Sequence, residues 1–186
     1  MLFRSFSPQE ITAVEHNPIH LAIAQKIFGV TPQMATLHLA EASRFVRKYQ
    51  GKKFDLIIDD LFVAAGGVAK RALYCDHHWL KQLTRHLTSN GLLCLNFADW
   101  SELSNAPVSE YFMSRERFVS AYALTCPRTE NVIAAMLPER SDIESLRAHI
   151  KVTPALSGLM KAGRCQFKIR LLNKKTRKMC HLEHSA

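Results

Sequence analysis

The stretch ITAVEHNPIHLAIAQ, residues 11–25, decides the fold class because a strand pattern changes to a helix pattern within a few residues. Residues 11–15 are rich in β-branched side chains and predict a short strand that ends on an acid, Glu15. Asn17 and Pro18 then supply an N-cap and a first-turn proline. The stretch therefore predicts a strand, a short loop and a helix that stops at Gly29, with a carboxylate at the end of the strand.

The same alternation continues along the next thirty or so residues. Residues 36–40 predict a second strand, and residues 43–49 predict a second helix. Residues 54–58, FDLII, form a nearly continuous apolar run of the kind found in parallel strands that are buried on both faces. Asp59 and Asp60 interrupt that run. Alternation of strands and helices at these lengths predicts βαβ units.

A further helix and strand follow residue 75. Asp76 predicts the N-cap of a helix that carries Trp79, Leu80, Leu83 and Leu87. The Asn90–Gly91 pair predicts the end of that helix through a left-handed C-cap. Residues 92–98, LLCLNFA, then predict a strand that begins directly after the cap.

The C-terminal half has a different pattern. After a short helical segment near residues 108–117, residues 118–125 and 132–137 predict two strands joined by the turn-forming CPRTEN. Their close spacing predicts an antiparallel hairpin. Ser141 and Glu144 have the spacing of a capping box and predict a helix to about residue 150. The alternating apolar residues of 165–171 predict a terminal strand with a polar face.

These patterns together predict an α/β protein with a mostly parallel, Rossmann-like sheet that ends in an antiparallel hairpin. Ordinary dinucleotide-binding domains continue with another parallel unit, whereas the methyltransferase-type sheet closes with an antiparallel strand. We expect a main domain over residues 1–140 and a C-terminal helix with a basic, strand-like tail over residues 141–186.

Four blocks resemble, in order, the second to fifth strand regions of the spermidine synthase-like family within the class I S-adenosylmethionine-dependent methyltransferase fold. They are ITAVEHNP, LAEASRFV, KFDLIIDDLF and LYCDHHWLKQLTRHLTSNGLLCLNF, and CPRTENVIAAML is similar to the terminal hairpin of the family. The resemblance covers about residues 5–137. It implies a nucleoside cofactor, S-adenosylmethionine or its decarboxylated form, at the carboxyl ends of the strands.

The resemblance also implies roles for particular residues. Glu15 falls where the family keeps an acid that accepts hydrogen bonds from both ribose hydroxyls, and His16 beside it belongs to the same expected cofactor site. Glu41 and Ala42 occupy the place of an Asp-Ala pair, in which the acid accepts from the adenine amino group and the adjacent backbone donates. The longer Glu41 implies a looser contact.

The two aspartates after the fourth strand region have different implied roles. Asp60 falls where aminopropyltransferases of the family keep the aspartate that orients and deprotonates the attacking amine, and it is the expected catalytic residue. Asp59 is included among the cofactor-binding residues. Solvation of both carboxylates, with only one facing a cleft, is the alternative explanation of this pair.

Two departures from the family pattern limit what the resemblance implies. Spermidine synthases proper carry Asp-x-x-Asp-Pro where this chain has Asp60-Leu61-Phe62-Val63-Ala64, so a diamine substrate is not expected. The glycine-rich cofactor loop and the first strand do not precede residue 11, where MLFRSFSPQE resembles only the end of the following helix. We therefore expect an N-terminally truncated domain whose unsupported strands favour self-association into a homo-oligomer.

Charge and composition bear on partners and location. The net charge of +9 lies mainly in residues 161–186, which contain eight Lys or Arg residues and one acidic residue. Nucleic acid or an acidic partner could bind this tail, but the strand pattern and the lack of stacking aromatics favour a solvated strand face. No apolar run is long enough for a membrane span, no signal sequence is evident, and a cytoplasmic location is expected. Five scattered cysteines without a C-x-x-C pair predict neither disulfides nor a metal site.

Two functional hypotheses of different class remain open from the sequence. The first is a spermidine synthase-like transferase, of methyltransferase or aminopropyltransferase type, that binds the cofactor through Glu15 and Glu41 and acts through Asp60. The second is a non-catalytic remnant or interaction module that has lost the cofactor loop and binds an acidic partner through its basic tail.

Overall fold

The computed structural model describes residues 8–113, 117–163 and 166–172. The chain forms two compact units, residues 1–51 and residues 52–186. The expected end of a helix within residues 1–10 falls mostly outside the described residues, and so does the part of the basic tail beyond residue 172. Among the described residues, no helix is both long and apolar enough to cross a bilayer.

The first unit is a βαβα segment with a two-stranded parallel sheet. Strand β1 (Thr12–Glu15) pairs in parallel with β2 (Thr36–Leu39), so that Glu15 lies opposite Leu39. Helix α1 (Pro18–Lys26) connects the two strands, and α2 (Ala42–Lys48) follows β2. The strand-loop-helix prediction for residues 11–25 is confirmed, including the Asn17 cap, whose side chain accepts a hydrogen bond from the Ile19 N–H.

The second unit contains a five-stranded sheet whose strands lie in the order β3 (Phe54–Asp59), β6 (Leu87–Phe97), β8 (Val132–Leu137), β7 (Ser120–Thr125) and β9 (Lys168–Leu171). Strand β3 (Phe54–Asp59) pairs in parallel with β6 (Leu87–Phe97), and the remaining neighbours are antiparallel. The predicted terminal hairpin is confirmed as β7 (Ser120–Thr125) and β8 (Val132–Leu137). The α/β class and the closing antiparallel hairpin are therefore as the sequence pattern indicates.

The elements after β8 extend the same unit. Helices α6 (Ile143–Val152) and α7 (Pro154–Lys161) lead to β9 (Lys168–Leu171), which pairs with β7. The predicted terminal strand is thus observed from Lys168, where Ile169 is buried and Lys168 and Arg170 face solvent. The expected division into a main domain over residues 1–140 and a C-terminal part over residues 141–186 stays a prediction.

A short hairpin not anticipated from the sequence follows β3. Strands β4 (Phe62–Ala65) and β5 (Val68–Arg71) are antiparallel and are joined by Gly66 and Gly67. Both glycines have positive φ, 62° and 79°, as a two-residue hairpin turn of right-handed twist requires. The hairpin returns the chain to the end of β3, because the Ala72 N–H donates to the Leu61 carbonyl.

The predicted C-cap at Asn90–Gly91 is wrong. Helix α3 (His77–Thr84) ends earlier, and Asn90 and Gly91 lie inside β6 at the point where its register with β3 shifts. The glycine is required there by close packing, because a Cβ on Gly91 would lie 2.9 Å from both the Phe54 carbonyl oxygen and the Leu87 Cβ. A turn-like dipeptide therefore marks a strand irregularity in this chain.

The predicted capping box of Ser141 and Glu144 is also wrong. Asp142 caps α6 by accepting from the Ser145 N–H at 2.7 Å. Ser141 instead contacts β7: its N–H donates to the Ser120 hydroxyl, and its carbonyl accepts from the Tyr122 hydroxyl. Two further short helices, α4 (Trp100–Asn105) and α5 (Val108–Met113), lie between β6 and β7.

Gly91→Ala is expected to destabilise the second unit by about 1–3 kcal/mol, because the added methyl group meets backbone that cannot move without disturbing the β3–β6 ladder. Urea unfolding followed by tryptophan fluorescence measures this unit, since both tryptophans, Trp79 and Trp100, belong to it. The matched control is Gly158→Ala in α7, where nothing lies within 4 Å of the added Cβ. It should be stabilising by about 0.5–1 kcal/mol, and equal effects of the two changes would contradict the packing argument.

Candidate functional site

Glu15 lies at the carboxyl end of β1 and is held by the start of α1. Its Oε1 accepts from the Asn17 N–H at 2.7 Å and lies 3.2 Å from the His16 Nδ1. Its Oε2 lies 3.3 Å from the His20 Nδ1. The Glu15 side chain keeps 31% of its surface exposed, so these contacts orient the carboxylate without enclosing it. The turn that starts α1 therefore fixes an accessible hydrogen-bond acceptor at the carboxyl end of β1.

The surroundings of Glu15 favour its ionised form. Partial burial acts to raise its pKa, but the hydrogen bonds from the Asn17 N–H and from His20, together with the coulombic effect of His20 and His16, outweigh burial. The pKa of Glu15 is therefore lower than that of an ordinary glutamate. At neutral pH the group is an acceptor-only carboxylate.

Glu41 and Ala42 lie just after β2, and the parallel pairing places the ends of β1 and β2 at the same edge. Glu41 is the N-cap of α2, and its carboxylate accepts from the Ser43 N–H at 2.8 Å, the Ser43 hydroxyl at 2.7 Å and the Arg44 N–H at 2.8 Å. Burial acts to raise the pKa of Glu41, and the Ser43 and Arg44 hydrogen bonds lower it below the ordinary value. The Glu41 carboxylate is thus already used to cap the helix that it begins.

Asp59, the last residue of β3, points into the second unit. Its Oδ2 accepts from the Arg71 Nη2 at 2.8 Å and from the Trp79 Nε1 at 2.7 Å. The two side chains of the ion pair are 1% and 3% exposed, so solvation does not explain this carboxylate. Its Oδ1 is buried and has no partner among the described residues.

Arg71 is the centre of this buried cluster. Besides Asp59, its guanidinium donates to the carbonyl groups of Leu73 and Asn96. The guanidinium carbon lies 5.2 Å from the centroid of the Phe97 ring. Arg71 therefore ties the root of the β4–β5 hairpin to the ends of both β3 and β6.

Asp60, the next residue, faces the other way and is exposed. Its Oδ1 accepts from the Asn96 Nδ2 at 2.7 Å. The Oδ1 of Asn96 in turn accepts from the Asn131 Nδ2 at 3.2 Å. The contact with Asn131 therefore defines the orientation of the Asn96 amide, which directs its N–H group to Asp60.

The predicted site residues thus form separate groups. In the first unit, Glu15 and His16 are in contact, and Glu41 with Ala42 follows the neighbouring strand at the same edge. In the second unit, Asp59 and Asp60 are adjacent but diverge, one into a buried ion pair and one to solvent.

Sequence reasoning missed the residues that hold these aspartates. Arg71 and Trp79 bind Asp59 across 12 and 20 residues of chain, and Asn96 binds Asp60 across 36. Asn96 carried a detectable signal, since it is the one polar side chain in the apolar run LLCLNF. Arg71 carried none, because it lies in an unpredicted hairpin.

Cys75 and Cys94 have no features of a reactive thiol. Cys75 is buried, and burial raises its pKa to about 12. Burial also raises the pKa of Cys94. Across residues 8–113, 117–163 and 166–172, no group of three or more His, Cys, Asp or Glu side chains is arranged to hold a metal ion.

Comparison with known proteins gives the fold independently. No protein-family model and no curated protein matches this sequence. Among solved structures, human methyltransferase-like protein 13 in complex with SAH is similar with a TM-score of 0.65 and 18% identity, covering 86% of this chain and 75% of that one. A probable spermidine synthase from Corynebacterium glutamicum is similar with a TM-score of 0.61 and 17% identity, covering 90% and 60% of the two chains.

The spermidine synthase from Thermotoga maritima is a third similar structure, with a TM-score of 0.53 and 12% identity, covering 96% of this chain. The present chain spans 58% of that protein and 60% of the Corynebacterium protein. At these identities the likeness concerns the fold and not the activity. The chain has the fold of the spermidine synthase-like class I S-adenosylmethionine-dependent methyltransferases.

Proposed function

We propose that this chain is a transferase domain that binds S-adenosylmethionine, or its decarboxylated form, through the end of β1. The observation that carries the proposal is the Glu15 carboxylate, which is ionised, 31% exposed and fixed by the Asn17 N–H at 2.7 Å. An acceptor-only group at the carboxyl end of a strand suits the two hydroxyls of a ribose. His16 lies against the same carboxylate and would border the sugar.

The neighbouring strand end supplies the proposed adenine contact. The backbone N–H of Ala42 has no acceptor among the described residues and can donate to the base. Glu41 can take the adenine amino group only by sharing an oxygen that its helix already uses. We therefore assign Glu41 a weaker contribution to binding than Glu15.

Asp60 is the proposed catalytic residue. When bound, such a cofactor supplies an alkyl group on a sulfonium sulfur, which departs as a thioether. Asp60 would orient the nucleophile of the acceptor and accept its proton, and the Asn96 N–H holds one of the two carboxylate oxygens for this task. The role of Asp59 as a cofactor ligand stays a prediction, and its Oδ1 is buried without a partner among the described residues.

The chemistry after Asp60 favours a methyltransferase-like reaction over polyamine synthesis. Residues 62–65 form β4 and carry no carboxylate for a cationic amine. On the partner strand, the exposed side chain of Lys70 is cationic itself. An acceptor without multiple ammonium groups therefore fits this part of the chain better.

Glu15→Ala is expected to weaken cofactor binding by about 10- to 100-fold, because hydrogen bonds to a charged acceptor are lost. Isothermal titration with S-adenosylmethionine, its decarboxylated form and the thioether product S-adenosylhomocysteine measures the effect. Glu15→Gln keeps the shape of the side chain and removes its charge, so its cofactor affinity should lie between those of the wild-type chain and Glu15→Ala. Glu130→Gln, an exposed acid in the β7–β8 turn, is the matched control and should bind like the wild-type chain.

The alternative function is a non-catalytic interaction module. The sequence favours it in one respect, since the positive charge is concentrated in residues 161–186. The titration separates the two proposals. Absence of binding by the folded wild-type chain, or equal binding by the wild-type and Glu15→Ala chains, would support the module and overturn the cofactor site.

A further inference from the structure

The two edges of the five-stranded sheet are unequal. The outer strand β9 is short and exposes Lys168 and Arg170, charged side chains of the kind that discourage edge-to-edge association. The other outer strand is β3, which pairs only with β6 among the described residues. Its central residues are apolar, and Leu56 and Ile58 are 43% and 50% exposed. Of the two outer strands, β3 is therefore the one less protected against pairing with another strand.

The composition of β3 does not match its position at an edge. A nearly continuous apolar run is typical of a strand with neighbours on both sides. Phe54, Leu56 and Ile58 share one face because side chains alternate along a strand. A second strand hydrogen-bonded to this edge would continue that apolar face.

The segment 52–60, KKFDLIIDD, is complementary to itself when the second copy runs antiparallel. Its first two residues are basic, Leu56, Ile57 and Ile58 are apolar, and it ends on acids, while Asp55 interrupts the apolar part. Pairing Leu56 with its own symmetry mate places Phe54 opposite Ile58 of the other copy. The same register brings the Lys52–Lys53 end of one copy beside the Asp60 end of the other. Opposite charges and apolar pairs at facing positions both stabilise strand pairs.

We propose that two copies of this chain associate through β3, with the strands antiparallel and a two-fold axis at Leu56. The contact is isologous, so one patch satisfies both copies. It joins the two five-stranded sheets into a continuous ten-stranded sheet. The proposal is independent of cofactor binding, because it rests on the edge of the sheet and not on Glu15.

The first test is the molar mass in solution. Light scattering coupled to size exclusion should give a concentration-dependent dimer, at twice the 21.1 kDa of one chain. Leu56→Lys puts two like charges face to face at the axis and should raise the dissociation constant at least about 10-fold. Val152→Lys, at a residue 75% exposed in α6, is the matched control and should leave the dimer intact.

The second test fixes the register by disulfide trapping. In a chain whose Cys126, Cys165 and Cys180 are replaced by serine, Leu56→Cys should cross-link under mild oxidation, because directly opposed residues have Cα atoms at disulfide distance. Ile57→Cys should not cross-link, since its facing residue is Asp55 of the other copy. Circular dichroism establishes that each variant is folded.

Three results would overturn the proposal. The first is a folded chain that stays monomeric at all concentrations, as expected if β3 takes a strand from a different polypeptide. The second is a dimer that Leu56→Lys does not weaken. The third is cross-linking at position 57 in place of position 56.

Discussion

Arg71→Ala is expected to lower the free energy of unfolding of the second unit by about 3–5 kcal/mol, because it leaves a buried carboxylate without its cation. The Asp59 side chain is 1% exposed, and the Arg71 Nη2 lies 2.8 Å from its Oδ2. The change also removes the donors to the carbonyl groups of Leu73 and Asn96. The root of the β4–β5 hairpin should loosen together with the ends of β3 and β6.

Urea unfolding followed by tryptophan fluorescence measures this loss, and Trp79 itself contacts Asp59. Arg128→Ala, at an exposed residue of the β7–β8 turn, is the matched control and should change the stability by less than about 0.5 kcal/mol. The double variant Asp59→Leu with Arg71→Met should recover part of the loss, since it removes the uncompensated charge but leaves the Trp79 N–H and the Leu73 and Asn96 carbonyl groups without these partners. A loss below about 1 kcal/mol for Arg71→Ala would contradict the role given to the pair.

Phe97→Ala should also destabilise the second unit by about 3–5 kcal/mol. Phe97 ends β6, is fully buried, and carries the Arg71 guanidinium over its ring at 5.2 Å. Truncation therefore opens a cavity in the core and removes the aromatic ring that packs against the Arg71 guanidinium. The same urea experiment measures it, with Val152→Ala at a residue 75% exposed as the near-neutral control.

The two changes should not be additive. Phe97 and Arg71 are in contact, so the double variant is expected to be less destabilised than the sum of the single variants. A double-mutant cycle gives this coupling directly. Strict additivity would indicate that the ring and the guanidinium stabilise the unit independently.

The part of the fold that local chemistry specifies was predictable. The strand over residues 11–15, the Asn17–Pro18 helix start and the hairpin strands at 118–125 and 132–137 depend on side-chain periodicity and caps, which act within a few residues. The wrong predictions rest on sequence signals that are compatible with two different local structures. Asn90–Gly91 suits a helix C-cap, yet here it lies within β6 because Gly91 must pass close to Phe54.

The sequence by itself determined that Glu15 ends a strand and that two aspartates end another. Only the tertiary structure decided that Asp59 is buried against Arg71 and Trp79, while Asp60 is exposed and bound to Asn96. The physical reason is that periodicity and capping are local, whereas the environment of a carboxylate depends on partners from distant segments. Arg71 is placed by a hairpin, and Asn96 by a strand 36 residues away, and no local pattern encodes either meeting.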